Sequence, residues 1–218
     1  MAWTEPFLDR TDAGQQLSSR LTHYRSRNDV VILALPRGGV PVAAEVAKAL
    51  GRPFDLLLVR KLGIPGCAET AMGAIASNGV CVMHDDLIRQ LDLTRTEVNE
   101  VKRRETAELA RRERLYRGGK PPVEVTGKTV IVIDDGIATG ATMQAAILLL
   151  RRQGARRIVV ATPVAPPDTA RKLAREVDEM IVVAEPEEFS AVGEWYRNFG
   201  QTSDDEVRRL LAEAAFRT

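Results

Sequence analysis

The sequence is poor in the side chains that build metal cages and disulfide frameworks. Its 218 residues include two cysteines, Cys67 and Cys81, and two histidines, His23 and His84. These are too few for a zinc site with the usual ligand spacing or for a set of disulfide bonds. Reduced thiols are typical of the cytoplasm, so we expect a cytoplasmic protein.

The chain also lacks long apolar runs and an excess of charge of either sign. No segment approaches the roughly 18 consecutive apolar residues of a membrane span, and the first residues, MAWTEPFLDRTDAG, contain no apolar stretch of signal-peptide length. The formal net charge of +1 provides no general attraction to nucleic acids or membranes. We therefore expect neither a nucleic-acid partner nor a membrane partner.

The sequence does contain an alternation of short apolar runs and segments with helical spacing. The runs are continuous and rich in β-branched residues, which is typical of buried strands. The predicted strands are Val30–Leu35, Phe54–Val59, Thr129–Asp134, Arg157–Thr162 and Glu179–Ala184, with a further pair in the segments AMGAIAS and GVCVM. This pattern predicts an α/β fold in which helices flank both faces of a parallel sheet.

Two segments interrupt the alternation. The first, about 94–117, predicts one long helix that begins with a capping box of Thr94 and Glu97. This helix is rich in arginine, but Glu and Arg residues spaced four apart favour a solvated face over a polyanion site. The pairs are Glu100/Arg104, Glu108/Arg112 and Glu113/Arg117. The second segment, about 185–200, is irregular and rich in aromatic residues. We expect residues 1–218 to form a single domain that contains both segments.

The segment VIVIDDGIATGAT, Val130–Thr142, places two carboxylates and a loop of small residues after a buried strand. Ligands of open parallel sheets bind beyond the carboxyl ends of the strands, where Asp134 and Asp135 should lie. The small residues lead into a helix start, which offers free N–H groups and the positive end of the helix dipole. Because carboxylates repel phosphate, a ligand that fits both parts must carry hydroxyl groups or a metal between them. A sugar phosphate meets this requirement.

Other interpretations of this segment have less support in the chain. The motif GxxxxGK[ST] of nucleotide triphosphatases does not occur, and GxGxxG does not follow the first predicted strand. A plain strand–turn–helix with two surface acids is the alternative without a ligand.

The segment Val130–Thr142 resembles the signature with which type I phosphoribosyltransferases bind 5-phosphoribosyl-1-pyrophosphate (PRPP). That signature consists of an apolar strand, two acidic residues and a loop that ends in TGxT. The segment LPRGGVPVA is similar to the family's pyrophosphate loop, and VRKLGIPG is similar to the start of its mobile loop. The whole chain resembles a bacterial group of predicted phosphoribosyltransferases with an unsettled substrate.

The resemblance implies a Rossmann-like fold with a small C-terminal hood, for which residues 185–200 are the candidate, and with residues 94–117 as an inserted helix. It also implies that a nitrogen acceptor, usually a nucleobase, displaces pyrophosphate from PRPP, as in nucleotide salvage. Mg²⁺ would be held mainly by PRPP, with Asp134 and Asp135 reaching it through water, and many members are homodimers. The alternative is a PRPP-sensing regulator without transferase activity, which the near-neutral charge and the loop motifs disfavour.

The resemblance further assigns roles to individual residues. Asp134 and Asp135 would accept hydrogen bonds from the ribose hydroxyls. The residues around the 5′-phosphate would be Ala138, Thr139, Gly140, Ala141 and Thr142. The residues around pyrophosphate would be Arg37, Gly38 and Gly39, in a loop where members often have a non-proline cis peptide. Catalytic roles would fall to Arg37, Lys61, Glu69, Asp134 and Asp135.

The remaining assignments concern the leaving group and the acceptor. Arg60 and Lys61 would neutralise the leaving pyrophosphate, and Glu69 would meet the base. Ala138 stands where hypoxanthine-guanine members carry a proton-transferring Asp, so we do not expect a 6-oxopurine mechanism that uses that acid. The aromatic residues that would stack on a planar acceptor are Phe189, Trp195 and Tyr196, with core packing as the alternative.

Overall fold

The computed structural model describes residues 5–65, 67–77 and 79–215, without the side chains of 67–70 and 215. In chain order the strands are β1 (Val30–Ala34), β2 (Phe54–Leu56), β3 (Val59–Ile64), β4 (Cys67–Ala76), β5 (Cys81–Met83), β6 (Thr129–Ile133), β7 (Arg157–Val164) and β8 (Glu179–Ala184). The helices are α1 (Arg10–Arg20), α2 (Gly39–Leu50), α3 (Asp85–Gln90), α4 (Arg95–Arg117), α5 (Ala141–Arg152), α6 (Pro167–Ala174) and α7 (Asp204–Ala215).

A five-stranded parallel sheet in the order β2-β1-β6-β7-β8 forms the centre of the fold. Its central strand β6 is buried along its whole length, as its unbroken apolar run predicts. One hydrophobic cluster contains side chains of α1, α2 and α7, and a second contains side chains of α5 and α6. The predicted α/β fold, a parallel sheet flanked by helices, is confirmed.

The predicted strand Phe54–Val59 is wrong in its extent, because the structure divides it into two elements. β2 pairs with β1 over Phe54–Leu56, whereas Val59 begins β3. The strands β3, β4 and β5 form a separate antiparallel sheet, which confirms that the segments AMGAIAS and GVCVM are neighbours. The apolar pattern continues through Leu57 and Leu58 because both are buried where the chain passes from one sheet to the other.

Helix α4 begins with the predicted capping box of Thr94 and Glu97. Two of the predicted pairs are present, Glu108–Arg112 at 2.7 Å and Glu113–Arg117 at 3.7 Å. Arg104 instead pairs with its neighbour Glu105 at 3.0 Å. The expectation of a solvated face was incomplete, because one side of the helix packs against β3. The buried residues of that side include Val101, Glu105 and Leu109. Within the described residues, no helix is both long and apolar enough to span a membrane.

Candidate active site

Two sequence motifs meet at the carboxyl edge of the parallel sheet. β1 leads into residues 36–39, here called the PRGG loop, and β6 leads into Asp134 and Asp135, here called the acidic pair. A Cβ atom added at Gly38 would lie 2.0 Å from Asp135 Oδ2, and one added at Gly39 would lie 2.6 Å from the Ile133 carbonyl oxygen. Only glycine permits this close approach. The Pro36–Arg37 peptide bond is cis, a feature that the sequence left open.

Asp135 joins several elements through its side chain and its backbone. Its carboxylate is 13% exposed, and Oδ2 accepts a hydrogen bond of 2.7 Å from Nε of Arg10, which is 11% exposed. Arg10 also donates to the Gly200 carbonyl oxygen at 2.6 Å, and its guanidinium carbon lies 4.0 Å from the centroid of the Phe199 ring. The Tyr196 hydroxyl donates to the backbone oxygen of Asp135. Helix α1, the acidic pair and the segment before α7 are thus held together.

Arg10 was not among the site residues predicted from the sequence. Arg10 and Asp135 are separated by 125 positions in the chain, and no motif surrounds Arg10. The only local signal is the helix start, where Asp9 caps α1 by accepting hydrogen bonds from the Thr11 and Asp12 backbone N–H groups. That signal places Arg10 in the first turn of a helix, but it contains no information about what the side chain contacts.

Asp134, the other member of the acidic pair, is also partly buried. Burial, and then the neighbouring charge of Asp135, raise the pKa of Asp134 well above its usual range. One oxygen, Oδ1, accepts a hydrogen bond of 2.9 Å from the Asp135 backbone N–H, which opposes this rise. The site therefore carries a carboxylate whose charge costs stability until a ligand compensates it.

We expect Asp134→Asn to stabilise the unliganded protein at neutral pH. The folded-state pKa lies above the unfolded value, so the contribution of Asp134 to stability is complete at low pH and is lost as the pH rises through the folded pKa. The amide of the variant does not ionise, so it loses no stability as the pH rises. The free energy of unfolding of Asp134→Asn should therefore exceed that of the wild type by an amount that grows above about pH 4. Urea denaturation of both proteins across this range measures the difference. An advantage that shrinks as pH rises would contradict the prediction.

Residues 138–142, here called the phosphate loop, lead into the start of α5. Gly140 precedes the helix with φ of 76°, a conformation that favours glycine, and no side chain at this position caps the helix N–H groups. The Thr169 hydroxyl donates a hydrogen bond of 2.8 Å to the Ala138 carbonyl oxygen and thereby fixes the loop. The exposed side chains are those of Ala138, Thr139 and Thr142. N–H groups, hydroxyls and the helix dipole together suit a bound anion.

A cavity of about 330 Å³ opens beside the PRGG loop and the phosphate loop. Pro36 and Thr142 line it from the two loops, Arg60 and Lys61 line it from β3, and α4 forms another wall. The PRGG loop, the phosphate loop and the VRKLGIPG segment of β3, which all resemble family motifs, thus each contribute residues to the wall of one cavity. The side chain of Glu69, the remaining predicted residue of this region, lies outside the described residues.

Arg37 makes its contact with the C-terminal helix. Its Nη1 lies 3.5 Å from Asp204 Oδ1 at the start of α7, and about a third of the Arg37 side chain is exposed. The same Asp204 oxygen accepts a hydrogen bond of 2.6 Å from the Tyr116 hydroxyl of α4. This hydrogen bond and then the charge of Arg37 outweigh burial and lower the pKa of Asp204. The PRGG loop is therefore joined to both α7 and α4.

The aromatic residues of the hood lie at different depths. Tyr196 is 5% exposed and packs against Phe7, with 5.5 Å between ring centroids. Phe189 and Trp195 pack against the same cluster and are partly buried. Phe199 is 39% exposed. Most of the Tyr196 ring is thus occupied by core packing, and a stacking role for Phe189, Trp195 or Tyr196 stays a prediction.

The acidic pair fits a metal ion that is held mainly by its substrate. Among the described residues, no group of three or more His, Cys, Asp or Glu side chains could hold a metal ion. Of the four carboxylate oxygens of the pair, two already accept hydrogen bonds: Asp135 Oδ2 from Arg10, and Asp134 Oδ1 from the Asp135 backbone N–H. Mg²⁺ commonly binds one or two carboxylates and completes its shell with waters and substrate oxygens, so this donor set suits it.

Comparisons with known proteins agree with this geometry. The profile of the phosphoribosyl transferase domain matches residues 10–195. A Mycobacterium tuberculosis protein, provisionally named a phosphoribosyl transferase, is 48% identical over 208 residues, which cover 95% of this chain and 47% of that protein. The chain thus spans about half the length of the curated relatives it matches first. A crystal structure of a Thermus thermophilus protein is similar with a TM-score of 0.87 and 38% identity, covering 95% of this chain and 98% of that one.

Proposed function

The chain belongs to the phosphoribosyl transferase family, and from this premise we propose that it transfers ribose 5-phosphate from PRPP to a nucleobase-like nitrogen acceptor and releases pyrophosphate. The proposed role is nucleotide salvage. One observation carries the proposal: the acidic pair touches the PRGG loop at the sheet edge, beside the start of α5, where Gly140 provides no side-chain cap. These three parts suit the ribose, the pyrophosphate and the 5′-phosphate of one ligand.

The ribose and the 5′-phosphate have distinct places in the proposed complex. The N–H groups at the start of α5 and the hydroxyls of Thr139 and Thr142 would bind the 5′-phosphate. The ribose hydroxyls would donate to the acidic pair. Since Arg10 already pairs with Asp135, we assign the closer contact with the ribose to Asp134. A hydroxyl donor there would also offset the cost of the raised pKa, because it favours the charged carboxylate.

The pyrophosphate would lie between the PRGG loop and β3. As the bond from the anomeric carbon to the pyrophosphate oxygen breaks, positive charge grows on the sugar and negative charge grows on the leaving group. The acidic pair stabilises the sugar charge, and the Arg60 and Lys61 side chains stabilise the leaving-group charge. Mg²⁺ bound with PRPP would neutralise further charge on the pyrophosphate.

The acceptor would approach from the side of the hood. Ala138 provides no acid beside the phosphate loop, so a proton lost by the acceptor must leave by another route. We propose Glu69 as a group that meets the base. We propose that an aromatic side chain of the hood stacks on the planar acceptor, with Phe189, Trp195 and Tyr196 as the candidates. Tyr196 also holds Asp135 in place, because its hydroxyl donates a hydrogen bond to the Asp135 backbone oxygen.

Pyrophosphate release from Mg²⁺–PRPP, measured across purines, pyrimidines and pyridine carboxylates, tests the proposal. We expect release with one acceptor class, and a decrease of roughly 10- to 100-fold in Asp134→Asn, as the loss of a hydrogen bond to a charged group predicts. PRPP binding without release for any acceptor would contradict the transferase and favour the PRPP-sensing regulator. Failure to bind PRPP at all would overturn both.

Three finer expectations from the sequence stay proposals. They are a homodimer, a cytoplasmic location, and a single domain in which 94–117 is an insertion and 185–200 is the hood. Light scattering of the purified chain measures the oligomeric state directly.

A further inference from the structure

Helix α4 forms a wall of the cavity beside the PRGG loop. The residues that line the cavity from α4 are Arg104, Glu105, Leu109 and Arg112. Arg60 and Lys61 face the same space from β3, and Pro36 faces it from the PRGG loop. The inserted helix is therefore part of the leaving-group side of the proposed site, which none of the sequence motifs predicted.

Glu105 is a nearly buried carboxylate that binds two arginines. It is 7% exposed as a residue. Oε2 accepts a hydrogen bond of 2.7 Å from Arg60 Nε, and Oε1 accepts one of 3.0 Å from Arg104 Nε. Burial by itself would raise the pKa of Glu105, but the hydrogen bonds from the two arginines lower the pKa overall. Glu105 therefore stays charged, and the short bond to Arg60 is a charge-assisted one.

This bond occupies only one of the donor positions of Arg60. The contact uses Nε, and within the part of the chain that the structure describes, no hydrogen bond from the terminal nitrogens of Arg60 is found. The Arg60 side chain is 36% exposed. A guanidinium held through Nε keeps both terminal nitrogens for a ligand, and it loses less conformational entropy when that ligand binds.

The described residues that line the cavity carry more positive than negative charge. They include three arginines, Arg60, Arg104 and Arg112, and one carboxylate, Glu105. Arg112 is held by Glu108 Oε1 at 2.7 Å, and its side chain is 27% exposed. Glu108 also accepts hydrogen bonds from Arg111. The charge of Glu105 is likewise already compensated by Arg60 and Arg104. A multiply charged anion is the ligand class that this arrangement suits.

We propose that Glu105 is a positioning residue of the pyrophosphate site, which holds the Arg60 guanidinium ready for the leaving group. The proposal rests on the proposed function. It extends the site to the inserted helix, so that α4 contributes to binding as well as to packing. A purely structural role is the competing explanation, since the same ion pair also fastens α4 to β3.

Calorimetric titration with two separate ligands distinguishes these roles. The ligands are Mg²⁺–pyrophosphate, which would reach Arg60, and ribose 5-phosphate, which would bind at the acidic pair and the phosphate loop. We expect Glu105→Gln to weaken Mg²⁺–pyrophosphate binding about tenfold, because a neutral amide orients a guanidinium less firmly, and to leave ribose 5-phosphate binding unchanged. Glu105→Asp keeps the charge, so it should retain part of the lost affinity.

Glu179→Gln is the matched control. Glu179, at the start of β8, accepts hydrogen bonds from Tyr24 and from Arg157, the latter at 2.9 Å, and it does not line the cavity. Removing its charge should lower stability without changing pyrophosphate affinity. It therefore shows whether the loss of a partly buried ion pair is sufficient to weaken binding.

Each result of these titrations has one meaning. Equal pyrophosphate affinity in the wild type and in Glu105→Gln would overturn the positioning role, as would an equal loss of affinity for both ligands. Binding of ribose 5-phosphate without pyrophosphate by the wild type would also overturn it, while the sugar-phosphate part of the site stands. Binding of neither ligand by the wild type would instead overturn the proposed function.

Discussion

Arg10→Met should destabilise the protein by about 3 kcal/mol, because removing one partner of a buried ion pair leaves an uncompensated charge. Asp135, whose side chain is 13% exposed in the structure, would keep its carboxylate directly beside Asp134 without the charge of Arg10. The variant would also lose the hydrogen bond to the Gly200 carbonyl oxygen and the contact with the Phe199 ring. Urea denaturation at neutral pH measures the effect.

Three further variants show whether the Asp135 pairing is the cause: Arg20→Met, Asp135→Asn and the double variant of Arg10 and Asp135. Arg20→Met changes an exposed arginine on the same helix and should alter stability by no more than about 0.5 kcal/mol. The double variant Arg10→Met, Asp135→Asn removes both charges, so it should recover part of the stability lost in Arg10→Met. If the losses of stability in Arg10→Met and in Asp135→Asn simply add in the double variant, a direct coupling between the two side chains is contradicted.

Gly38→Ala should reduce the rate of pyrophosphate release by about 100-fold, the size of effect expected when reacting groups move by about 1 Å. The new Cβ atom would lie 2.0 Å from Asp135 Oδ2, closer than any real contact allows. Either the PRGG loop moves away from the sheet edge, or Asp135 leaves Arg10. Both changes displace the groups proposed to hold PRPP, and a steady-state assay with saturating acceptor measures the loss.

Gly51→Ala provides the control at the other end of α2. Gly51 has φ of 65°, and an added Cβ there would have no heavy atom within 4 Å. This change should cost about 1 kcal/mol of stability through backbone strain, without altering pyrophosphate release. If Gly38→Ala released pyrophosphate at the wild-type rate, the PRGG loop and the acidic pair would act independently.

The Arg10 contacts also connect the proposed ribose site with the hood. Arg10 binds Asp135 on one side and the Gly200 carbonyl oxygen on the other, and Tyr196 binds the Asp135 backbone. In the proposed function, the acids that face the sugar and the element that faces the acceptor are therefore parts of one hydrogen-bonded unit. A displacement of Asp135 would be transmitted to the hood through these bonds.

Local sequence patterns accounted for much of the fold. The continuous apolar runs identified the strands of the parallel sheet because a strand covered on both faces must be apolar on both. The capping box of Thr94 and Glu97 located the start of α4, because its bonds form between residues three apart. The pattern erred at Phe54–Val59, where burial continues although the chain changes sheets at Leu57 and Leu58.

By itself, the sequence determined the strand–acid–loop–helix segment Val130–Thr142 and the glycines of the PRGG loop, since both depend on neighbours along the chain. Only the tertiary structure decided which side chains complete the site. Arg10 reaches Asp135 across 125 positions, and Glu105 reaches Arg60 across 45. Such contacts depend on how α1 and α4 pack against the sheets, and periodicity within one element contains no information about the partner of a side chain in another.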